Sequence, residues 1–217
     1  MAITFYYASG SPPAWRVWLS LEHKKLPYEL KLLSFSEGDL KKPEYLAVNP
    51  RGKVPAIVDD GFTLYESVAI LEYLEERYPG AGLPLLPREP EARATVRRMV
   101  QEVDGYFAPA NSKLVRLVLF VKDPEPAAIA EARAGLIPEL ERFEAAIQGD
   151  YLAGPLSAAD FTLYPMLALT QRIGKKQPQH TIDEHIGPKL TAWMKRIEAL
   201  PYFEKTIPPH WKAAPAT

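Results

Sequence analysis

The chain has 217 residues, 47% of them hydrophobic, and sets 26 Lys plus Arg against 27 Asp plus Glu for a formal net charge of -1. That length fits one large domain or two small ones with a buried core, and the balanced charge supplies no field to gather polyanions, so neither nucleic acid nor an anionic membrane is an expected partner. Cysteine is absent, which excludes disulfides, thiolate metal sites and a protein thiol as nucleophile, so any sulfur chemistry has to come from a ligand.

In chain order, Ile3–Tyr7 is a β-branched and aromatic run closed by Ala8-Ser9-Gly10-Ser11-Pro12-Pro13, a strand entering a turn. Residues 15–22 follow at helical spacing, with Trp15, Val17, Trp18 and Leu19 apolar. Tyr28–Leu33 alternates as a second strand, which completes a β-α-β opening, and the polar stretch Ser34–Lys42 is expected to be mobile. Val54–Val58 stops at Asp59-Asp60-Gly61, and Asp-Gly between strand-like runs predicts an antiparallel hairpin of Ala56–Val58 with Phe62–Leu64. A helix spans about 66–78, with Pro79-Gly80 as its stop.

Residues 81–90, with Pro84, Pro87 and Pro90, form a linker, and helical patterns at about 91–121, 127–147, 158–173 and 188–199 fill the rest. The expectation is an α/β domain over 1–80 built as β-α-β then β-β-α, and an all-helical domain over 91–217. No stretch is apolar for the length a bilayer requires, and the segment Met1–Tyr7 has no basic start, so a cytoplasmic protein is expected.

Four features stand out, three as candidates for chemistry and one structural. Pro55 opens a strand inside the sheet, where it cannot donate to the ladder; a cis Val54–Pro55 bond would leave the Val54 N–H and C=O for an extended peptide, and an ordinary loop proline is the plain alternative. Glu66-Ser67 begins a helix, whose free N–H groups suit a carboxylate while Glu66 suits an ammonium, although Ser67 could simply cap. Ser11 before Pro12-Pro13 reads as an N-cap at a positive helix end, where a hydroxyl can accept one bond and still donate another to a thiolate. Ser157-Ala158-Ala159-Asp160 is a capping box before a buried helix. The histidines, His23, His180, His185 and His210, lack metal-ligand spacing and read as surface or tail residues, so no metal is expected.

In order and spacing, Asn49-Pro50-Arg51-Gly52-Lys53-Val54-Pro55-Ala56, the helix start Glu66-Ser67-Val68-Ala69-Ile70, the proline linker and the Ser157–Phe161 box resemble the soluble glutathione transferase family over nearly the whole chain. The resemblance implies a thioredoxin-like domain joined to a helical domain, usually as a homodimer, with glutathione as co-substrate and detoxification as the general role. It makes Pro55 the cis proline, Val54 the main-chain partner of the cysteinyl residue, and Glu66 and Ser67 the holders of the γ-glutamyl end. Lys41 and Lys53 match positions that approach the glycine carboxylate, and the helix with Gln101 and Asp104 matches one that reaches across a subunit interface.

Ser11, five residues before Arg16-Val17, matches the catalytic serine of the serine-type classes, including tau- and zeta-like members. Tyr7 ends the first strand where tyrosine-type classes place their phenol, so Tyr7 competes with Ser11, and Ser9 stands nearby. The cysteine of omega- and beta-like relatives is missing, which disfavours cysteine-dependent thiol transfer. The implied reaction is addition of a glutathione thiolate to an apolar electrophile, or displacement from one. Isomerase, peroxidase, disulfide-exchange and lyase chemistry, or a noncatalytic interaction module, are the alternatives. The electrophile pocket is expected from Pro13, from Tyr106, Phe107, Ala110, Lys113 and Leu114 on the first long helix of the second domain, and from Trp211. Bundle core is the competing assignment for the helical ones.

Overall fold

Ile3–Tyr7 forms the first strand (β1) of the computed structural model, which describes residues 2–212. It runs parallel to β2 (Tyr28–Leu32), Ile3 opposite Tyr28, and antiparallel to β3 (Ala56–Asp59), Phe5 opposite Ile57. β4 (Phe62–Tyr65) closes the order β2-β1-β3-β4. Asp60 and Gly61 both take positive φ, 49° and 84°, the pair of left-handed residues that a tight two-residue hairpin needs.

Helix α1 (Pro12–His23) follows Ser11 as N-cap, and its first two residues are the prolines, whose missing N–H groups cost nothing at a helix start. A single helical turn, α2 (Pro43–Leu46), precedes β3, and α3 (Ser67–Arg77) follows β4. The pleat of β1 sends Tyr7 against Trp18 of α1 at 5.0 Å and Tyr6 against Tyr45 of α2 at 5.6 Å, so both faces of the sheet are covered. Ser34–Lys42, expected to be mobile, contains a 3₁₀ turn at Asp39–Lys41, and the Asp39 carboxylate accepts from the Ser34 N–H at 2.8 Å.

Charged residues enter this core where the periodicity gave no warning. Lys24 is fully buried and meets Glu75 Oε2 at 2.8 Å; the same oxygen accepts from the Leu85 N–H at 2.9 Å. The start of the expected linker is thereby docked: Leu85 and Leu86 are buried, and a Cβ on Gly82, which has φ +52°, would lie 2.4 Å from the Lys24 carbonyl carbon. His23, expected at the surface, is buried, and its Nδ1 pairs with Tyr202 Oη at 2.7 Å.

Burial, reinforced by the Lys24 charge and partly opposed by the Pro84 carbonyl and Glu75, lowers the His23 pKa to about 4. Above the unfolded value of about 6.5 both states are neutral. Below it the unfolded chain binds the proton first, so this residue removes up to about 3 kcal/mol of stability as pH falls from about 6.5 to about 4. Urea unfolding of wild type and His23→Asn across that range is expected to show a steeper acid loss in the wild type; equal slopes would refute the assignment.

The second unit, Pro87–Leu200, is helical among its described residues: α4 (Pro90–Glu102), a π-helical turn (Val103–Phe107), α5 (Ala108–Phe120), α6 (Pro126–Ala146), α7 (Ala158–Lys176) and α8 (Pro188–Glu198). The predicted helix over 91–121 is therefore continuous but widened just before Pro109, which cannot donate a helical hydrogen bond. Phe107, Leu136, Leu140, Phe143, Phe161 and Trp193 fill its core. The capping box is present at Ser157 and Asp160, and its carboxylate reaches beyond the box.

The segment from Pro201, with the short helices α9 (Phe203–Thr206) and α10 (Pro209–Lys212), belongs to the first unit with the residues up to Leu86. Sequence patterning had joined it to the helical domain. Its partners include Trp15 Nε1 of α1, which donates to Thr206 Oγ1 at 3.0 Å, and Tyr28 of β2, whose ring lies 5.1 Å from Lys205 Nζ.

Candidate active site

Three chain segments meet at one end of the sheet because the strand register brings them there. Tyr6 pairs with Ala56 and Ala56 with Tyr65. The end of β1 leading to Ser11, the Val54-Pro55 entry to β3 and the Glu66-Ser67 exit from β4 are thus neighbours.

Ser11 accepts from the Ala14 N–H at 3.4 Å, longer than the 2.7–3.2 Å of ordinary N–H···O bonds. Pro12 and Pro13 add no donor, so the hydroxyl is a lightly engaged cap at the positive end of α1, with its own proton left to donate. The main chain closes the turn behind it, Ser11 N–H to Ala8 C=O at 3.2 Å.

The Val54–Pro55 bond is cis, and the Val54 N–H and C=O make no main-chain hydrogen bond among the described residues. The loop before it is braced from behind. Tyr45 Oη at 2.5 Å and Asn49 Nδ2 at 2.6 Å both donate to the Lys53 carbonyl, and Asn49 Oδ1 accepts from the Arg51 N–H at 3.0 Å. Gly52, with φ +58°, passes so close to the Leu40 carbonyl that a Cβ would stand 2.8 Å from it.

Glu66 has φ 70° and ψ 109°, a conformation that costs a non-glycine residue about 1–3 kcal/mol and occurs where surrounding structure enforces it. It is the N-cap of α3 without a side-chain capping bond, and Ser67, expected as a possible cap, is the first helical residue. Ser67 Oγ instead accepts from Arg16 Nη1 at 3.0 Å. A guanidinium has donors only, so the Ser67 proton is left for an acceptor beside the N–H groups that open α3. Arg16 is 1% exposed and places positive charge under that helix end. The Glu66 carboxylate faces solvent, 3.9 Å from Arg51 Nε.

The other expected residues divide. Tyr7 is buried between Phe5 and Trp18, at 5.7 and 5.0 Å, and burial raises its phenol pKa. Ser9 bonds to His210, so that histidine is engaged beside the site rather than an idle tail residue. Lys41 and Lys53 are exposed, and Pro13 is half-buried. Trp211 stands edge-on to Trp15 at 5.2 Å. In the helical unit, Phe107 and Leu114 are buried in the core, Phe107 against Phe143 at 5.9 Å. Tyr106, 65% exposed, Ala110 and Lys113, which pairs with Glu131 at 2.7 Å, lie one residue off that buried face. Asp104 is half-buried in the π turn, and Gln101 is exposed. Among the described residues no group of three or more His, Cys, Asp or Glu could hold a metal ion, and no helix is long and apolar enough to cross a membrane.

Sequence reasoning missed Arg16, Tyr45 and Asn49 as supports. A lone charge inside the apolar run Trp15–Leu19 was the available signal for Arg16.

Family models for the glutathione S-transferase N-terminal and C-terminal domains match residues 10–77 and 126–196. Glutathione S-transferase A of Pleuronectes platessa is 32% identical over 98% of this chain and 94% of its own length. The chain belongs to the glutathione S-transferase family. Glutathione S-transferase 3 of Zea mays is likewise 32% identical, over 91% of this transferase and 89% of its own chain. The crystal structure of a glutathione S-transferase from the Antarctic clam Laternula elliptica superposes with a TM-score of 0.86 at 32% identity, covering 99% of this chain and 95% of that one. A thioredoxin-like sheet unit followed by a helical unit is the shared architecture.

Proposed function

We propose that this transferase binds glutathione at the sheet end described above and ionises its thiol for attack on an apolar electrophile. The observation that carries the proposal is the convergence of three complementary groups: the Ser11 hydroxyl at the start of α1, the unpaired main chain of Val54 beside Pro55, and the start of α3 with Ser67 over Arg16. Val54 takes the cysteinyl main chain as an added strand. Ser67 and the α3 N–H groups take the γ-glutamyl carboxylate, Glu66 takes the ammonium, and Lys41 and Lys53 take the glycine carboxylate. Pro13 and Trp211 contribute to the electrophile side.

No protein base is required, because a charge-assisted hydrogen bond and a helix dipole together lower a thiol pKa by about one to three units. With no cysteine in the chain, conjugation is preferred to cysteine-dependent thiol exchange. The presence together of Ser11, Pro55, Glu66 and Ser67 argues against a purely noncatalytic module. A cytoplasmic homodimer, with Asp104 facing the neighbouring subunit's glutathione, completes the proposal.

Calorimetric titration with glutathione tests it. Wild type is expected to bind, and Ser67→Ala to bind about tenfold more weakly through loss of one bond to a charged group. No heat of binding in the wild type would overturn the proposal.

A further inference from the structure

The C-terminal segment runs back along α1 in the opposite direction, and its contacts follow in order. Tyr202 meets His23 near the end of α1, Lys205 Nζ lies 2.5 Å from Glu22 Oε1, and Thr206 accepts from Trp15. The last described helix then reaches the turn before α1. Ser9 Oγ lies 2.5 Å from His210 Nδ1, and the His210 N–H reaches the same hydroxyl at 3.5 Å. Gly10 has φ +84°, and a Cβ on it would stand 2.7 Å from His210 Cε1 and 3.7 Å from Trp211 Nε1. The imidazole therefore lies directly on the glycine face of the Ala8–Ser11 turn, and a Cβ there would have to displace it.

The main chain of Ser11 is fixed to α1, its carbonyl accepting from the Trp15 N–H at 2.9 Å, but its hydroxyl is held only by the long 3.4 Å contact to the Ala14 N–H, and the prolines after it offer no other donor. What sets the hydroxyl's position is the turn, and what braces the turn from outside is the imidazole. We propose that His210 is a positioning residue for Ser11: by bonding Ser9 and covering Gly10, it holds the β1–α1 turn so that the Ser11 hydroxyl stands ready to donate to the bound glutathione sulfur. The inference rests on the proposed function, and deepens it by making the C-terminal segment part of the thiolate site.

The test is the thiolate absorbance of saturating glutathione at fixed neutral pH, measured on the full chain with wild type, His210→Ala, Ser9→Ala, the double variant and His210→Asn, alongside their melting temperatures. In both single alanine variants the ratio of thiolate to thiol is expected to fall about two- to fivefold, the equilibrium worth of one neutral hydrogen bond. The double variant should fall no further, because both changes remove the same contact. His210→Asn, which keeps a polar atom near the position of Nδ1, should recover most of the ratio. A merely structural clamp would lower the melting temperature and leave the ratio untouched. An unchanged ratio in His210→Ala with glutathione still bound overturns this inference alone, as does an additive double variant. Failure of the wild type to bind glutathione overturns the functional reading beneath it.

Discussion

Ser11→Ala is expected to lower kcat/KM for glutathione conjugation by about 10- to 100-fold, the rate equivalent of losing one charge-assisted hydrogen bond of about 1.5–3 kcal/mol. The loss should appear as a raised thiol pKa with glutathione affinity nearly unchanged, because the tripeptide's main chain and termini are held elsewhere. Helix stability should suffer little, since the capping bond that disappears is the long one to Ala14. Tyr7→Phe is the matched control. Its ring is fixed between Phe5 and Trp18 within the sheet unit, so removing the hydroxyl is expected to change kcat/KM by less than about twofold. The reverse pattern, with Tyr7→Phe crippled and Ser11→Ala intact, would move the catalytic assignment to Tyr7 and leave the family membership standing.

The largest effect on stability is expected at Asp160, far in sequence from the Ser11 turn. This side chain is 0% exposed and accepts four hydrogen bonds: from Leu152 N–H at 2.9 Å, Ser157 N–H at 2.9 Å, Ser157 Oγ at 3.1 Å and Trp193 Nε1 at 2.8 Å. Burial raises its carboxyl pKa, and those four donors oppose the shift. Asp160→Ala leaves the donors buried without acceptors, at a cost of about 3–5 kcal/mol. A domain is commonly stable by only about 5–15 kcal/mol, so a large fraction of the fold's margin goes. Asp160→Asn keeps acceptor oxygen on one side and should lose roughly half as much. Denaturant midpoints of the three proteins measure this; a loss below about 1 kcal/mol in the alanine variant would mean that the network does not anchor α7.

The strands and the start of α1 were legible because local chemistry specifies them. Asp60-Gly61 can only turn tightly, and Ser11-Pro12-Pro13 can only begin a helix. The groups proposed to meet glutathione were legible, since Ser11, Val54, Glu66 and Ser67 carry local signatures of caps, strand entries and helix starts. Their supports were not. Arg16 finds Ser67 fifty-one positions away, and Lys24 finds Glu75 at the same separation; no periodicity rule announces a buried charge whose partner is distant. The expected electrophile face divided for a related reason. Aromatic and apolar spacing marks a helix side without saying whether it meets ligand or core, and Phe107 and Leu114 went to the core. The course of the C-terminal segment depends on separate contacts with α1 and the turn before it, each too weakly patterned to read from sequence.

Ultraviolet titration of glutathione bound to the unmodified protein tests the central claim most directly. A thiolate that persists about one to three pH units below the titration of a free thiol near 8.5 is the predicted result. Bound glutathione that titrates with the free tripeptide would contradict the account, since the sheet end would then hold the ligand without activating its sulfur.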